Sequence, residues 1–504
     1  MGKIVKVYRF LIYLLPAVLF FSYYPLIKLG ESGSMNFELS LPIVWLGVFD
    51  LVALAILLKK KLLKGIFKKW QWLLFPGFLT LSVFWSLNFL RGVLTVGILW
   101  AIYFAWYAFY SLKSQFSEMG VREKFWKVFF CSSLFVCLWC FLQCILDIIG
   151  VGREATLMCA GCVYQMFGFP HPNGFAIEPQ FMGNLLLAPT IISGWILVGS
   201  NCNSTFRGRG SSLPFAFGNS RPKGRASRGS DPSSLGRDLR KPLKVLLTVA
   251  PFFIFTVTLF LTFSRGAIYA FLIAMIFVTV AQVVRTKKWH SMILWPVILI
   301  SFLFTLNIQG LMAEFSKTDD TYVTGVTKVL NHLSLGAIDI SGGEDESEVE
   351  DEASAELYID EEISRGATKE AEEEAVFDGY VEESTDTRIR LNESAINVWK
   401  KDIKTILFGV GLGGAGQALY ENGLSPAPKE IIQNEYVSLL LESGIVGISL
   451  LVFTAVLVIR VVLKSKFMIM NFALIIAYGI SLMFFSGLPN ALQVYLLAGL
   501  FVVL

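Results

Sequence analysis

Charged residues are scarce: Asp, Glu, Lys and Arg make up 16% of the 504 residues, against roughly a quarter in soluble proteins. That shortage excludes a soluble globular protein. It also excludes a disordered chain, which combines high charge with few apolar residues. Seven cysteines in this length exclude a disulfide scaffold. Cys159 and Cys162 form a C-x-x-C, but no second ligand pair accompanies them. A zinc site is therefore disfavoured, and the readings left are a small disulfide clip or two loop thiols. No A-x-A site follows the first apolar run, so that run reads as a span and not as a cleaved leader. No internal repeat stands out. What is present is apolar: hydrophobic residues make up 55%, with 43 Phe and 12 Trp, and the mean hydropathy is +0.61. This composition describes an all-α, polytopic membrane bundle.

The net charge of +4 averages two unlike populations. Between Asp339 and Asp386 there are 20 acidic residues and only two basic ones, Arg365 and Lys369. The remainder holds 41 basic and 19 acidic residues. Basic loops on one side of a membrane and an acidic insert on the other explain the split; nucleic-acid binding does not follow from it.

A hydrocarbon core of roughly 30 Å needs about 20 apolar residues per helical crossing. About twelve runs qualify: 8–29, 39–58, 72–90, 92–112, 127–150, 180–199, 244–263, 267–284, 291–309, 436–459, 467–485 and 488–504. Lys and Arg in short loops set the orientation. They gather at Lys3, Lys6 and Arg9, at Lys59–Lys69, at Lys113–Lys127, through 201–244, at Arg285–Lys288 and at Arg460–Lys466. All fall on one side if both termini are cytoplasmic. The expected organisation is a nine-span bundle over 1–309, an extracytoplasmic loop over 310–435 and C-terminal spans over 436–504. The 200–243 segment is Gly/Ser/Arg-rich and reads as a basic cytoplasmic linker. Residues 340–386 are acidic and of low complexity. In 388–407, Ile389, Ile396, Trp399, Ile403 and Ile406 recur at helical spacing among lysines, which predicts an amphipathic helix ending at Gly409.

In such a protein, ionisable residues at or below the membrane rim are the informative ones, because burying charge there is expensive. Arg265 sits in Ser264-Arg265-Gly266, between two spans with no room for a loop and against the positive-inside bias. It either snorkels to lipid phosphates or clamps a phosphate with its planar fork. The segment His171-Pro172-Asn173-Gly174-Phe175-Ala176-Ile177-Glu178-Pro179 opens another span. Pro179 suits a first helical turn, and Glu178 lies at the positive end of that helix dipole; a plain capping acid is the alternative. His171 is one of three histidines. Gln433-Asn434-Glu435 leads into a span that also holds Glu442. Seven residues separate Glu435 from Glu442, two helical turns, hence one face. The Gly409-Val410-Gly411-Leu412-Gly413-Gly414 run formally reads G-x-G-x-x-G. No βαβ context surrounds it, so it is read as a glycine turn that lets backbone approach a helix or ligand.

Taken in order, these segments resemble the O-antigen ligase/polymerase family of bacterial envelope glycosyltransferases. The resemblance covers about 170–450. It rests on Gly174…Glu178-Pro179, on Ser264-Arg265-Gly266, on a helix bearing Arg388 and Arg390 that leads into Phe408–Gly413, and on Asn434-Glu435-Tyr436 with Glu442-Ser443-Gly444. It implies a GT-C-type, all-helical enzyme of the bacterial cytoplasmic membrane. Such an enzyme moves glycan from an undecaprenyl-diphosphate-linked donor to a glycan or surface-lipid acceptor on the outer face, without cofactor or metal. On that reading Arg265, with Arg388 or Arg390, holds the diphosphate, and Glu435 or Glu178 is the general base. His171, Gln433, Asn434 and Glu442 complete the substrate-binding candidates. One departure matters: family ligases carry a histidine where this chain has Gln433, and an amide takes no proton. That favours a polymerase, or a ligase to another acceptor, and leaves an inactive relative open. A transporter or lipid-linked oligosaccharide flippase is the competing class. It should carry charges through a central cavity and show repeat symmetry, whereas here the charges gather at one rim.

Overall fold

In the computed structural model, residues 2–22, 26–32, 35–65, 69–116, 119–151, 153–157, 171–176, 178–201, 240–287, 289–315, 321–334, 380–425, 427–428, 430–465, 467–485 and 492–503 are described. Cys159, Cys162, most of the basic linker and the acidic tract up to 379 lie outside these residues.

The described chain is helical apart from one hairpin. Helix α1 (Gly2–Phe20) leads into strands β1 (Leu26–Ser32) and β2 (Met35–Ser40), which pair antiparallel from Leu26↔Ser40 to Ser32↔Met35. The first apolar run, 8–29, is therefore a helix only to Phe20, and its last part is strand. This hairpin is the one departure from an all-α fold among the described residues. Helix α2 (Leu41–Lys59) follows directly, with a proline in its first turn, where the missing N–H leaves no bond unmade.

Seven helices are long and apolar enough to cross a membrane among the described residues. They comprise α2, α4 (Phe89–Ser111), the 123–148 part of α5 (Met119–Ile148), α6 (Pro179–Asn201), α8 (Arg265–Thr286), α9 (Leu294–Phe315) and α14 (Glu435–Val462). Helix α7 (Arg240–Leu261) and α15 (Met468–Ser481) contribute shorter apolar stretches, and α16 (Leu492–Val503) closes the chain. The run expected at 72–90 breaks into a 3-10 turn, the nine-residue α3 (Leu74–Ser82), a second 3-10 turn and a bend at Ser86–Asn88.

Helix α6 is the hub. Of its most apolar stretch 83% is buried within the protein, and it packs on α7, α8 and α15. Glycines allow the approach: a Cβ at Gly183 would press on Ser264, Ala267 and Thr262, and one at Gly194 on Phe252. Small residues at helix contacts are the usual device where lipid gives no hydrophobic drive between helices.

Beyond α9 the chain turns back as α10 (Tyr322–Ser334). Gly325 lies against Ala313, and Tyr322 lies over Gly310 and donates to Asn307 at 3.0 Å. The amphipathic segment expected over 388–407 forms two helices, α11 (Tyr380–Trp399) and α12 (Ile403–Phe408). The break falls where the Asp402 side chain caps α12, accepting from Thr405 N–H at 2.8 Å. Gly409 ends α12 with φ 73°.

The glycine run then docks on α14. That helix is interrupted at Gly444 (φ 62°), which frees carbonyls near the break. Val410 N–H donates to Leu441 O (2.9 Å) and Gly411 N–H to Glu442 O (3.0 Å). A helix break is tolerated at membrane depth only when another part of the protein satisfies the freed backbone groups, and these bonds do so. The short helix α13 (Ala415–Glu421) follows the run.

Candidate active site

Arg265 occupies the first position of α8, entered through the three-residue turn Thr262–Ser264. Ser264 is the N-cap; its side chain accepts from Ala267 N–H at 3.4 Å. Phe263 adopts φ 47°, a left-handed conformation that costs a non-glycine residue roughly 1–2 kcal/mol. The strained turn aims the Phe263 carbonyl at His332, whose Nε2 lies 3.1 Å away. A cation in the first turn of a helix opposes the dipole, yet Arg265 is only 7% exposed. A position unfavourable on both counts is where a functional charge is expected.

His332, from the end of α10, is the residue that packing adds to the cluster. A carbonyl oxygen accepts only, so Nε2 carries the proton and Nδ1 is the basic nitrogen. Burial, and then the Arg265 guanidinium, push this imidazole down to about 4; Arg388 adds a smaller effect in the same direction, against the Phe263 bond. His171 lies tilted against Phe263 of the same turn, with 4.8 Å between the ring centres. Burial and the neighbouring His332 push it down to about 3. Both histidines are therefore neutral at pH 7.

Glu178 immediately precedes α6, whose first residue is Pro179 as the sequence predicts. Burial raises its carboxyl above the usual range, and the Arg388 guanidinium pulls it part of the way back. Arg388, on α11, thus acts on both Glu178 and His332. Arg390 is exposed; two residues along a helix is about 200°, so the two arginines face opposite ways. The segment carrying His171 is locked from α5. Gln143 donates to Gly174 O (3.0 Å) and accepts from Gly174 N–H (2.9 Å), and Asn173 donates to Ala176 O (2.6 Å).

The second acidic group lies across one turn of chain. Glu435 N–H donates to Leu482 O at 2.9 Å. Two residues on, Phe484 covers Gly266 and accepts from the Gln180 side chain. Glu435 is buried and accepts from the Tyr495 hydroxyl at 3.2 Å. Glu435 and Glu442 line one cavity, as their spacing on one helix face predicts, and Arg91 lines it with them. Asn434 serves α14 itself: its side chain accepts from Tyr436 and Val437 N–H at 3.1 and 3.3 Å. Gln433 is exposed.

The structure thus gathers Arg265, Arg388, Glu178, His171 and His332 in one cluster, and Glu435, Glu442 and Arg91 around a cavity of their own. Sequence reasoning passed over His332 and Arg91. Arg91 satisfies the criterion that singled out Arg265, an arginine between two apolar runs. His332 gave no signal beyond being one of three histidines. No cluster of side chains able to hold a metal occurs among the described residues.

A bundle of long apolar helices with an arginine–histidine–carboxylate cluster is a multi-pass membrane protein. Residues 250–452 match the family model described as O-antigen ligase, a similarity that supports an O-antigen ligase/polymerase-like family for this part of the chain. The match spans Arg265, His332, Arg388, Glu435 and Glu442. No curated protein and no solved structure matches the chain.

Proposed function

We propose that the chain is a GT-C-type glycosyltransferase of the bacterial cytoplasmic membrane. It takes glycan from an undecaprenyl-diphosphate-linked oligosaccharide on the outer face and joins it to a sugar hydroxyl, as polymerase or ligase. On the topology read from the sequence, twelve crossings with both termini cytoplasmic, the 310–435 loop and the Arg265 cluster would lie on that face. The observation that carries the reading is Arg388, which acts on Glu178 and also on His332, itself beside Arg265. Two arginines 123 positions apart in sequence thus share one site with a carboxyl group.

The chemistry requires these parts. The acceptor oxygen attacks the anomeric carbon, the bond to the diphosphate oxygen breaks, and its electron pair leaves on the diphosphate. Arg265 and Arg388 meet that growing negative charge with preorganised donors. The hydroxyl proton passes to Glu178, whose raised pKa brings it nearer the working pH of a general base. Of the two carboxylates the sequence offers for that role, Glu178 is favoured because Arg388 acts on it. Incubating the purified protein with lipid-linked oligosaccharide should lengthen glycan chains and release undecaprenyl diphosphate. Arg265→Lys keeps the charge but loses the fork, so transfer should fall roughly a hundredfold. Translocation without bond formation, or a fully active Arg265→Lys, defeats the reading.

A further inference from the structure

Two cavities lie between α4, α14 and the C-terminal helices, away from the Arg265 cluster. The smaller, about 210 Å³, is lined at its charged end by Arg91, Glu430, Glu435 and Glu442. The larger, about 480 Å³, is aromatic and apolar, with Trp100, Phe104, Tyr107 and Leu474 in its wall. Tyr103, Trp106, Ala455, Val458 and Tyr495 line both, so the two adjoin. A passage from one to the other would run from the charged cavity to a larger one whose lining carries a single charged residue, Lys69.

The charged end selects the ligand. It sets three carboxylates against one guanidinium, and Arg91 acts on Glu442 through space. That balance repels a head of purely negative charge, a polyprenyl diphosphate included. It suits a head of both signs joined to an apolar chain. We propose that this passage binds an aminophospholipid of the phosphatidylethanolamine type. The phosphate meets Arg91, the ammonium lies among Glu430, Glu435 and Glu442, and an acyl chain runs past Tyr103 and Trp106 into the larger cavity. The site is separate from the one proposed for glycan transfer and does not rest on that reading.

The test is native mass spectrometry of the purified full-length protein with equimolar phosphatidylethanolamine, phosphatidylglycerol, polyprenyl monophosphate and dodecyl maltoside. Phosphatidylethanolamine should be retained about tenfold over each of the others. Arg91→Ala and Glu442→Gln should each weaken that retention about tenfold, the scale of one charge-assisted contact. Ala455→Trp, which fills the shared neck, should abolish it. Equal retention of phosphatidylglycerol or the polyprenyl phosphate overturns the proposal, and preference for the maltoside reassigns the cavity to glycan and overturns it too. Glycan transfer is read separately, so its absence bears on the function proposed above and not on this site.

Discussion

His332 Nε2 lies 3.1 Å from the carbonyl oxygen of Phe263, two residues before Arg265, so α10 grips the strained turn that presents the arginine. Burial and the Arg265 guanidinium, not the Phe263 bond, keep that imidazole neutral. The folded-state values of about 4 for His332 and about 3 for His171 lie below the usual 6.5. Each lowered value means that protonation favours opening: the contribution is intact above pH 6.5 and is lost as pH falls through 6.5 toward 4 and then 3. Thermal unfolding of the purified protein should therefore move to lower temperature over that window. His332→Gln, which has no such titration, should flatten the part of the decline between pH 6.5 and 4; an unchanged pH dependence in that variant would dissociate His332 from the turn.

The contact between the glycine run and the broken helix gives a matched pair of substitutions. Gly444 and Gly423 both have φ above +60°. A Cβ at Gly444 would press into the backbone of Leu407 and Phe408, whereas one at Gly423 would meet nothing within 4 Å. Gly423→Ala should cost roughly 1–2 kcal/mol, the left-handed penalty alone. Gly444→Ala carries the same penalty plus a backbone collision, so its loss should exceed about 4 kcal/mol and appear as failure to accumulate folded protein. Size-exclusion profiles and thermal unfolding of the two variants side by side decide the matter; equal behaviour would mean that the close approach of Gly444 to the end of α12 contributes nothing.

Much of this arrangement is legible in the sequence, and the reason is the membrane. Apolar length marks the spans, an arginine out of place marks the rim site, and a proline after Glu178 marks the start of α6. The glycine run reads correctly as a place of close backbone approach because glycine has few other uses. What escapes is anything set by tertiary contact. The break of α14 at Gly444 depends on the Gly409–Gly413 run as its partner. The arrival of His332 beside Arg265 depends on α10 folding back over α9. The hairpin over 26–40 hides inside and beside an apolar run, because composition alone does not tell a buried helix from a strand.

Gln143 tests whether the His171–Glu178 segment is held in place from α5. It is fully buried and exchanges two hydrogen bonds with the backbone of Gly174. Gln143→Leu preserves shape but strands both backbone groups, at about 1–3 kcal/mol each. Thermal stability should fall accordingly. If the segment positions Glu178 for transfer, kcat should fall with it in protein that remains folded. A destabilised variant with full kcat would make the lock structural only.

Arg388 and Arg390 separate a site residue from its neighbour. Arg388 is half-buried and acts on Glu178, whereas Arg390 is exposed. Arg390→Ala should leave transfer near wild type, as exposed substitutions generally do; Arg388→Ala should lower kcat roughly a hundredfold. The pH profile adds a signature that a purely structural role would not produce. Arg388 lowers the raised pKa of Glu178, so removing it lets that pKa climb further. A general base works only when deprotonated, so the acidic limb of the kcat profile should move to higher pH in Arg388→Ala. Arg388→Lys, which keeps the positive charge, should hold the limb close to its original position while kcat stays depressed for want of the fork. A limb that stays put in the alanine variant would remove Glu178 from the proton transfer even if Arg388 proved essential.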